Sequence, residues 1–370
     1  MLPFFGELYG NPSSVHSHGR AVRVRLDQAR EMVAGLINAR PEEIVFTSGG
    51  TESINFAVLG VAQALKENGR HIITSEVEHP AVINSCRQLV ALGFKVDFLP
   101  VDRHGRIDLD VLKKSITDET ILISIQHANS EVGVLQPIDL IGSLAKASGV
   151  LFHSDMVQSL GKVPIDVKTL PVDLISFSAH KMYGPKGVGA LYIRKGSPKL
   201  FSLISGGGQE RNRRGGTENM PGIVGFGAAA ELTQKRLASD IIHMESMRTR
   251  LESLLSEHMA GVEFFTDRDG PRLPNTICIG FDGVEGQTLM VRLDIEGISV
   301  STGTACGSGS LSPSPVLTAM GLPLEKIDGM VRVSFGRNNT LEEVERFFSA
   351  LQRVVSACRQ SISAMGQQGL

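Results

Sequence analysis

Short apolar runs alternate with amphipathic stretches along the first half of this 370-residue chain, and that alternation limits the fold more than any other feature. The runs IVF (44–46), HIIT (71–74), KVDFL (95–99), TILISI (120–125), GVLFHSD (149–155), DLISFS (173–178) and GALYI (189–193) read as buried strands. Between them, 52–66, 79–91 and 138–148 repeat apolar residues at helical spacing. Strands separated by helices pack into a mostly parallel sheet with helices on its faces, an α/β domain. Ligands of such sheets gather where the strands end, so polar residues at those ends are the first candidates for chemistry.

Near residue 238 the texture changes. SDIIHMESMRTRLESLLSEHM reads as a long helix, TICIGF (276–281) and VRVSFG (331–336) as strands, and TLEEVERFFSALQRVVSA as an amphipathic helix. A chain this long exceeds one ordinary core. The expected organisation is a large domain over 1–237 and a smaller α+β domain over 238–370. With 37 basic and 39 acidic residues the net charge is −2, a balance that does not point to nucleic acid or an anionic membrane as partner. No run approaches the length of a membrane span, and MLPFFGELYGNP lacks the basic lead of a signal peptide. Four cysteines without a CxxC pair argue against a disulfide framework and a zinc site, so no metal is expected and a reducing cytoplasm fits.

The strand ends carry one chemical theme. TSGGTESIN (47–55) places Gly50 and Thr51 where a helix opens, a phosphate-binding turn made of free N–H groups, a hydroxyl and the positive end of the helix; the plainer alternative is a helix N-cap by Thr51. Asp155 follows a buried strand, where a carboxylate is costly unless paired, and Gln158 could reach the same ligand; alternatively Asp155 caps a following helix. In FSAHKMYGPKGVGAL, Ser178, His180 and Lys181 end another strand. A desolvated lysine with a lowered pKa is a Schiff-base nucleophile, although a lone lysine is more often a snorkelling surface residue. Together these groups match the needs of pyridoxal phosphate: a cradle for the phosphate, an acid for the ring nitrogen and a lysine for the aldehyde.

Three further positions are singled out. His79 opens a helix and could stack on an aromatic cofactor, or simply cap that helix. Cys306, in the Gly/Ser/Thr-rich SVSTGTACGSGS (299–310), lies in a setting suited to reaction, unlike Cys278 among the hydrophobes of TICIGF; otherwise it is an incidental thiol. Arg332, a cation inside a strand, is placed to fork onto a carboxylate or to make a structural salt bridge.

Taken in order, YGNPSSVHSHGR, TSGGTESIN, EHPAV, NSEVG, HSDMVQSLGK, FSAHKMYGPKGVGALYIR, GGGQERNRRGGTEN, LPNT, STGTACGSGSLSPSPVL and RVSFGRNNT resemble a cysteine desulfurase of the nitrogen-fixation/iron–sulfur-cluster type, in the class V aminotransferase group. The resemblance runs essentially end to end. It implies a fold-type-I pyridoxal phosphate transferase built as a homodimer with active sites at the subunit interface. By position, Lys181 resembles the cofactor-binding lysine, Asp155 faces the ring nitrogen, His79 stacks on the ring and Gln158 bonds its hydroxyl. Thr51, Ser178 and His180 hold the phosphate, joined by the partner subunit's Thr217. Asn129, Ser130 and Arg332 bind substrate, and Cys306 takes the sulfur. The chain departs from the family pattern twice. It reads NSEVG where the family has NNEVG, leaving Ser130 at the contacting position, and it lacks about two dozen residues usual upstream, so the start is read as shortened.

The implied reaction converts L-cysteine to L-alanine, forms a persulfide on Cys306 and passes the sulfur to an acceptor protein, as in iron–sulfur cluster assembly. The rival readings are a selenocysteine lyase on the same scaffold, an aminotransferase of the same group, and a non-catalytic partner-binding protein that kept the fold.

Overall fold

The structure, a computed structural model, describes residues 1–302 and 313–368. Cys306 lies outside the described residues. Two compact units emerge, one formed by 1–99, 107–128 and 136–237, the other by 100–106, 129–135 and 238–370.

The first unit is built on a seven-stranded sheet of β1 (Ile44–Thr47), β2 (His71–Ser75), β3 (Lys95–Leu99), β4 (Thr120–Ser124), β5 (Leu151–Asp155), β6 (Leu174–Ser178) and β7 (Gly189–Ile193), in the order β1-β7-β6-β5-β4-β2-β3. The pairs from β6 through β3 are parallel, and β7 runs antiparallel to both its neighbours. The strands fall where the apolar runs place them. In β1, β2, β4, β6 and β7 every residue is buried, which explains why their sequences do not alternate.

The connecting helices are α1 (Ser17–Gly35), α2 (Gly50–Leu65), α3 (Pro80–Ala91), α4 (Leu109–Ser115) and α5 (Ile138–Ala147). Of these α2 matters most for the site. Ile54, Phe56, Ala57, Val58, Val61 and Ala62 are all buried, so it packs nearly all round rather than on one stripe. Its apolar residues join Ile72, Leu122, Leu174 and Leu191 of the sheet in one core.

The second unit holds an antiparallel sheet ordered β10-β9-β8, with β8 (Val262–Phe264), β9 (Thr276–Phe281) and β10 (Met330–Ser334). Its core joins Ile277, Ile279, Val331 and Val333 to Leu251 and Leu255 of the helix Met220–His258, and to Phe348 and Leu351 of the helix Leu341–Gln368. Strand β8 carries no sequence signal: three residues, all half-buried. The long helix starts at Met220 rather than near 238, so the change of texture falls inside a continuous helix. Glycines and a proline in MPGIVGFG hide its first turns from a propensity reading.

Candidate active site at the strand ends of the first unit

The chain leaves β1 through Ser48, Gly49 and Gly50 into α2. Gly49 is the N-cap, with φ of 156°, and no side chain caps the helix. Thr51 is therefore not the cap; it sits exposed in the first helical turn. The Ser48 N–H instead donates to Glu52 Oε2 (2.8 Å), and Thr47 Oγ1 donates to the Gly49 carbonyl. A helix opening through glycines with uncapped N–H groups is an anion cradle. Of the glycines beyond the lysine segment, Gly187 is required by its φ of 79° and Gly189 by close packing. A Cβ on Gly189, which pairs with Thr47 and Ser178, would lie 2.7 Å from the Gly49 backbone.

The ends of β5 and β6 meet this turn. A Cβ on Gly50 would lie 2.8 Å from Val157 Cγ2 and 3.6 Å from Ser178 Cβ, so the residue two after Asp155 and the residue three before Lys181 both border the cradle. Asp155 is buried, and its Oδ1 accepts from the Val157 N–H (2.9 Å) in a turn. No helix follows it, so the helix-capping alternative falls away. Burial pushes its carboxyl up to about 6, against the pull of that one bond. A buried carboxylate so little compensated is chemically matched to a cationic ring nitrogen. Gln158, half-buried in the same turn, accepts from Lys162 Nζ through its carbonyl (2.8 Å) and Oε1 (3.2 Å).

Beyond Ser178 the chain makes one 3-10 turn, Ala179–Met182. Ala179 and Met182, three apart, face the core, and His180 and Lys181 are turned outward. Lys181 is thus exposed in the chain, not desolvated as its neighbours in sequence led one to expect. Ser178 Oγ lies 2.8 Å from His180 Nδ1. Partial desolvation first, then the ammonium groups of Lys181, Lys186 and Lys162, lower the His180 pKa.

His79 is the N-cap of α3, its Nδ1 accepting from the Ala81 N–H (3.1 Å). His79 is itself exposed, and partial desolvation of the ring and then the Lys181 charge lower its pKa; with Nδ1 accepting, the neutral ring carries its proton on Nε2. A neutral ring suits stacking, and the Lys181 charge is felt at it. Thr217 lies exposed in the loop before the long helix. That loop is tied to the cradle by Arg214, whose Nε donates to Glu52 Oε1 (2.8 Å). It is tied to the sheet by Glu210, which accepts from Arg30 Nη1 and Nη2 (2.7 and 2.6 Å) and from the Phe46 N–H (2.9 Å). These contacts support Glu210, Arg211 and Asn212, all in the left-handed region at φ of 45°, 59° and 63°.

Glu52, Arg214, Arg30 and Glu210 were not singled out from the sequence. Only Glu52 leaves a signal there, an acid three residues after the N-cap. Glu78 was also missed. It is buried beside His79, accepting from Ser75 Oγ (2.6 Å) and from the Gln126 N–H through both oxygens (3.0 Å each). Burial, and then the nearby Asp155 charge, outweigh those bonds and push its pKa up to about 8. A carboxyl raised in the fold favours folding at low pH and loses that advantage as pH rises from its unfolded value toward 8. Glu78→Gln should therefore flatten the stability decline between pH 5.5 and 8.5 in cofactor-free protein, by on the order of a few kcal/mol. Urea titrations at both pH values measure it; equal declines in the two proteins would refute a protonated Glu78.

In the second unit, Arg332 on β10 donates from Nη1 to the Ser130 carbonyl (2.8 Å). Its Nε is buried with no hydrogen-bond partner among the described residues, an orphan donor that an incoming carboxylate would satisfy. That contact is to a peptide oxygen, and no ion pair of Arg332 is seen among the described residues. The Ser130 contribution runs through its backbone, so the shorter side chain does not touch that anchor. Asn129 is buried and closes the turn, Oδ1 accepting from the Glu131 (2.8 Å) and Val132 (3.0 Å) N–H groups. Glu131 accepts from Ser314 Oγ (2.5 Å), and burial raises its pKa despite that bond and the Arg332 charge.

The other three cysteines, Cys86, Cys278 and Cys358, are free and buried. Burial pushes Cys86 up to about 12 and holds Cys278 well above its ordinary value, so neither offers a thiolate.

The family description Aminotransferase class-V matches residues 1–347. The chain is 47% identical over 359 residues to "Cysteine desulfurase IscS" of Dictyoglomus turgidum, covering 97% of this chain and 91% of that one. Among solved structures, "NIFS-LIKE PROTEIN" is similar with a TM-score of 0.90 at 41% identity, covering 96% of this chain and 94% of the other. "SspA in complex with cysteine" gives 0.79 at 35% identity, covering 91% and 94%. The chain belongs to the class V aminotransferase family, and its sheet and helices are the fold-type-I architecture. Within that family its place is among the cysteine desulfurases. No helix among the described residues is long and apolar enough to cross a membrane.

Proposed function

We propose that this chain is a pyridoxal phosphate-dependent cysteine desulfurase that takes sulfur from L-cysteine onto Cys306 and delivers it to an acceptor protein. The observation that carries the cofactor reading is the meeting of the uncapped Gly49–Thr51 turn, the Asp155–Val157 turn and Ser178 at adjacent strand ends. The relatives named cysteine desulfurase support the reaction, and a related solved structure holds cysteine. The working form is a homodimer in the cytoplasm, with the partner subunit's Thr217 completing the phosphate site.

Pyridoxal phosphate, when bound, supplies an aldehyde that condenses with amines and a protonated ring that accepts an electron pair from the substrate. Thr51, Ser178 and His180, with the N–H groups of the Gly50 turn, would hold its phosphate. Asp155 would keep the proton on its ring nitrogen, and His79 and Gln158 would hold the ring. Lys181 Nζ would be the amine that the aldehyde takes up, and would serve as the base that moves the substrate Cα proton. Arg332 forks onto the substrate carboxylate, filling its unused Nε, and the Asn129–Ser130 turn holds the guanidinium in place. The Cys306 thiolate then attacks the substrate sulfur. An S–S bond forms as the S–Cβ bond breaks, the released carbon takes a proton to give alanine, and the persulfide stays on Cys306.

Purified protein mixed with pyridoxal phosphate should show a yellow band near about 400 nm that Lys181→Ala abolishes, and should release alanine from L-cysteine. A colourless protein would overturn the assignment. Activity confined to selenocysteine would move it to a selenocysteine lyase.

A further inference from the structure

Beneath the strand ends runs a line of polar side chains in an otherwise apolar core. Ser124 Oγ on β4 lies 2.8 Å from His153 Nδ1 on β5, and His153 Nε2 lies 2.9 Å from Ser176 Oγ on β6. Ser176 Oγ lies 2.9 Å from Ser53 Oγ on α2, which also lies 2.9 Å from the Ala190 carbonyl of β7. Ser53, His153 and Ser176 are fully buried at 0% exposure and Ser124 at 1%.

Ser53 Oγ is the donor in both of its links, to Ser176 Oγ and to the Ala190 carbonyl, so its one hydrogen is shared between two acceptors. His153 joins Ser124 and Ser176 through its two ring nitrogens, one donating and the other accepting. Burial pushes the His153 pKa down to about 3, so the ring is neutral and these links do not change with ordinary pH.

The rungs stand at telling positions. His153 is two residues before Asp155 on one face of β5, and Ser176 two before Ser178 on one face of β6. Ser53 is the residue whose N–H closes the first helical bond of α2, to the Gly49 carbonyl (3.1 Å). Apolar side chains in these places would fill the space as well, but hydrophobic contact has no direction and lets a helix slide. Hydrogen bonds fix both distance and angle.

We propose that Ser53, Ser176 and His153 are positioning residues whose hydrogen-bonded line fixes the start of α2 against β5 and β6, and so sets the spacing between the phosphate turn and Asp155. This rests on the pyridoxal phosphate reading above. The line binds no ligand itself; it makes the cradle fit a rigid cofactor that must touch both ends at once.

The test measures pyridoxal phosphate affinity by absorbance titration, together with the melting temperature of cofactor-free protein. The variants are Ser53→Ala, Ser176→Ala and His153→Leu. The control is Thr120→Val, which removes the bond between Thr120 Oγ1 and another buried histidine, His71 (2.8 Å), at the opposite ends of the strands. The expected result is a dissociation constant raised about tenfold or more in Ser53→Ala and Ser176→Ala, with the control within about twofold of wild type at a comparable loss of melting temperature. His153→Leu, if it folds, matches the serine variants. Unchanged affinity in both serine variants would overturn the proposal, as would affinity falling in step with melting temperature in the control as well. Failure of the wild-type protein to bind pyridoxal phosphate would instead overturn the cofactor reading.

Discussion

Cys306→Ser is expected to abolish alanine and sulfide release from L-cysteine, by roughly a thousandfold or more, while the cofactor band stays as in wild type. Serine keeps the size of the side chain but removes the atom that must form the S–S bond. The groups assigned to hold the cofactor are elsewhere in the chain, so binding and the Lys181 band have no reason to change. No other cysteine takes over: Cys86 and Cys278 are buried with their thiols held protonated, and Cys358 is buried. Measuring alanine, sulfide and absorbance on one preparation separates the outcomes. Retained desulfuration would show that Cys306 is not the acceptor, and lost absorbance would show that it supports the cofactor instead.

Asp155→Asn should separate stability from function in opposite directions. In the cofactor-free fold the Asp155 carboxyl titrates at about 6, against an ordinary value of 3.8. The stability it contributes is whole below about pH 4 and is lost as pH rises through about 6. Asparagine keeps the Oδ1 that accepts from Val157 and never ionises. The cofactor-free variant should therefore be more stable than wild type at pH 7.5, by about 2–3 kcal/mol, with the gap closing near pH 4. Turnover should fall roughly a hundredfold or more, because the amide cannot hold a proton on the ring nitrogen. Urea denaturation at the two pH values and a steady-state assay read both effects. A variant no more stable than wild type at pH 7.5 would mean that the carboxylate is already compensated in the fold.

The strands of the first unit were legible because full burial forces an unbroken apolar run, and the polar residues at their ends stand out against it. Thr51, Asp155 and Ser178 could be found in this way, and the structure brings their segments together. The exposure of Lys181 could not be read, since it depends on which side of a 3-10 turn faces the core. Nor could the pairs Arg30–Glu210 and Glu52–Arg214, whose members are far apart in the chain. Charged residues reveal their partners only when the fold supplies them. The role of Ser130 was hidden for another reason: the sequence displays side chains, and the contact to Arg332 is made by a peptide oxygen.

That last contact bears on how this turn can change over evolutionary time. An anchor made by a carbonyl is indifferent to the amino acid that carries it, so position 130 can drift between residues that keep the turn without loosening the guanidinium. Position 129 has no such freedom, because two N–H groups depend on its side-chain oxygen. Neighbouring residues of one motif are thus under unequal constraint, and serine is a substitution that the anchor itself does not register.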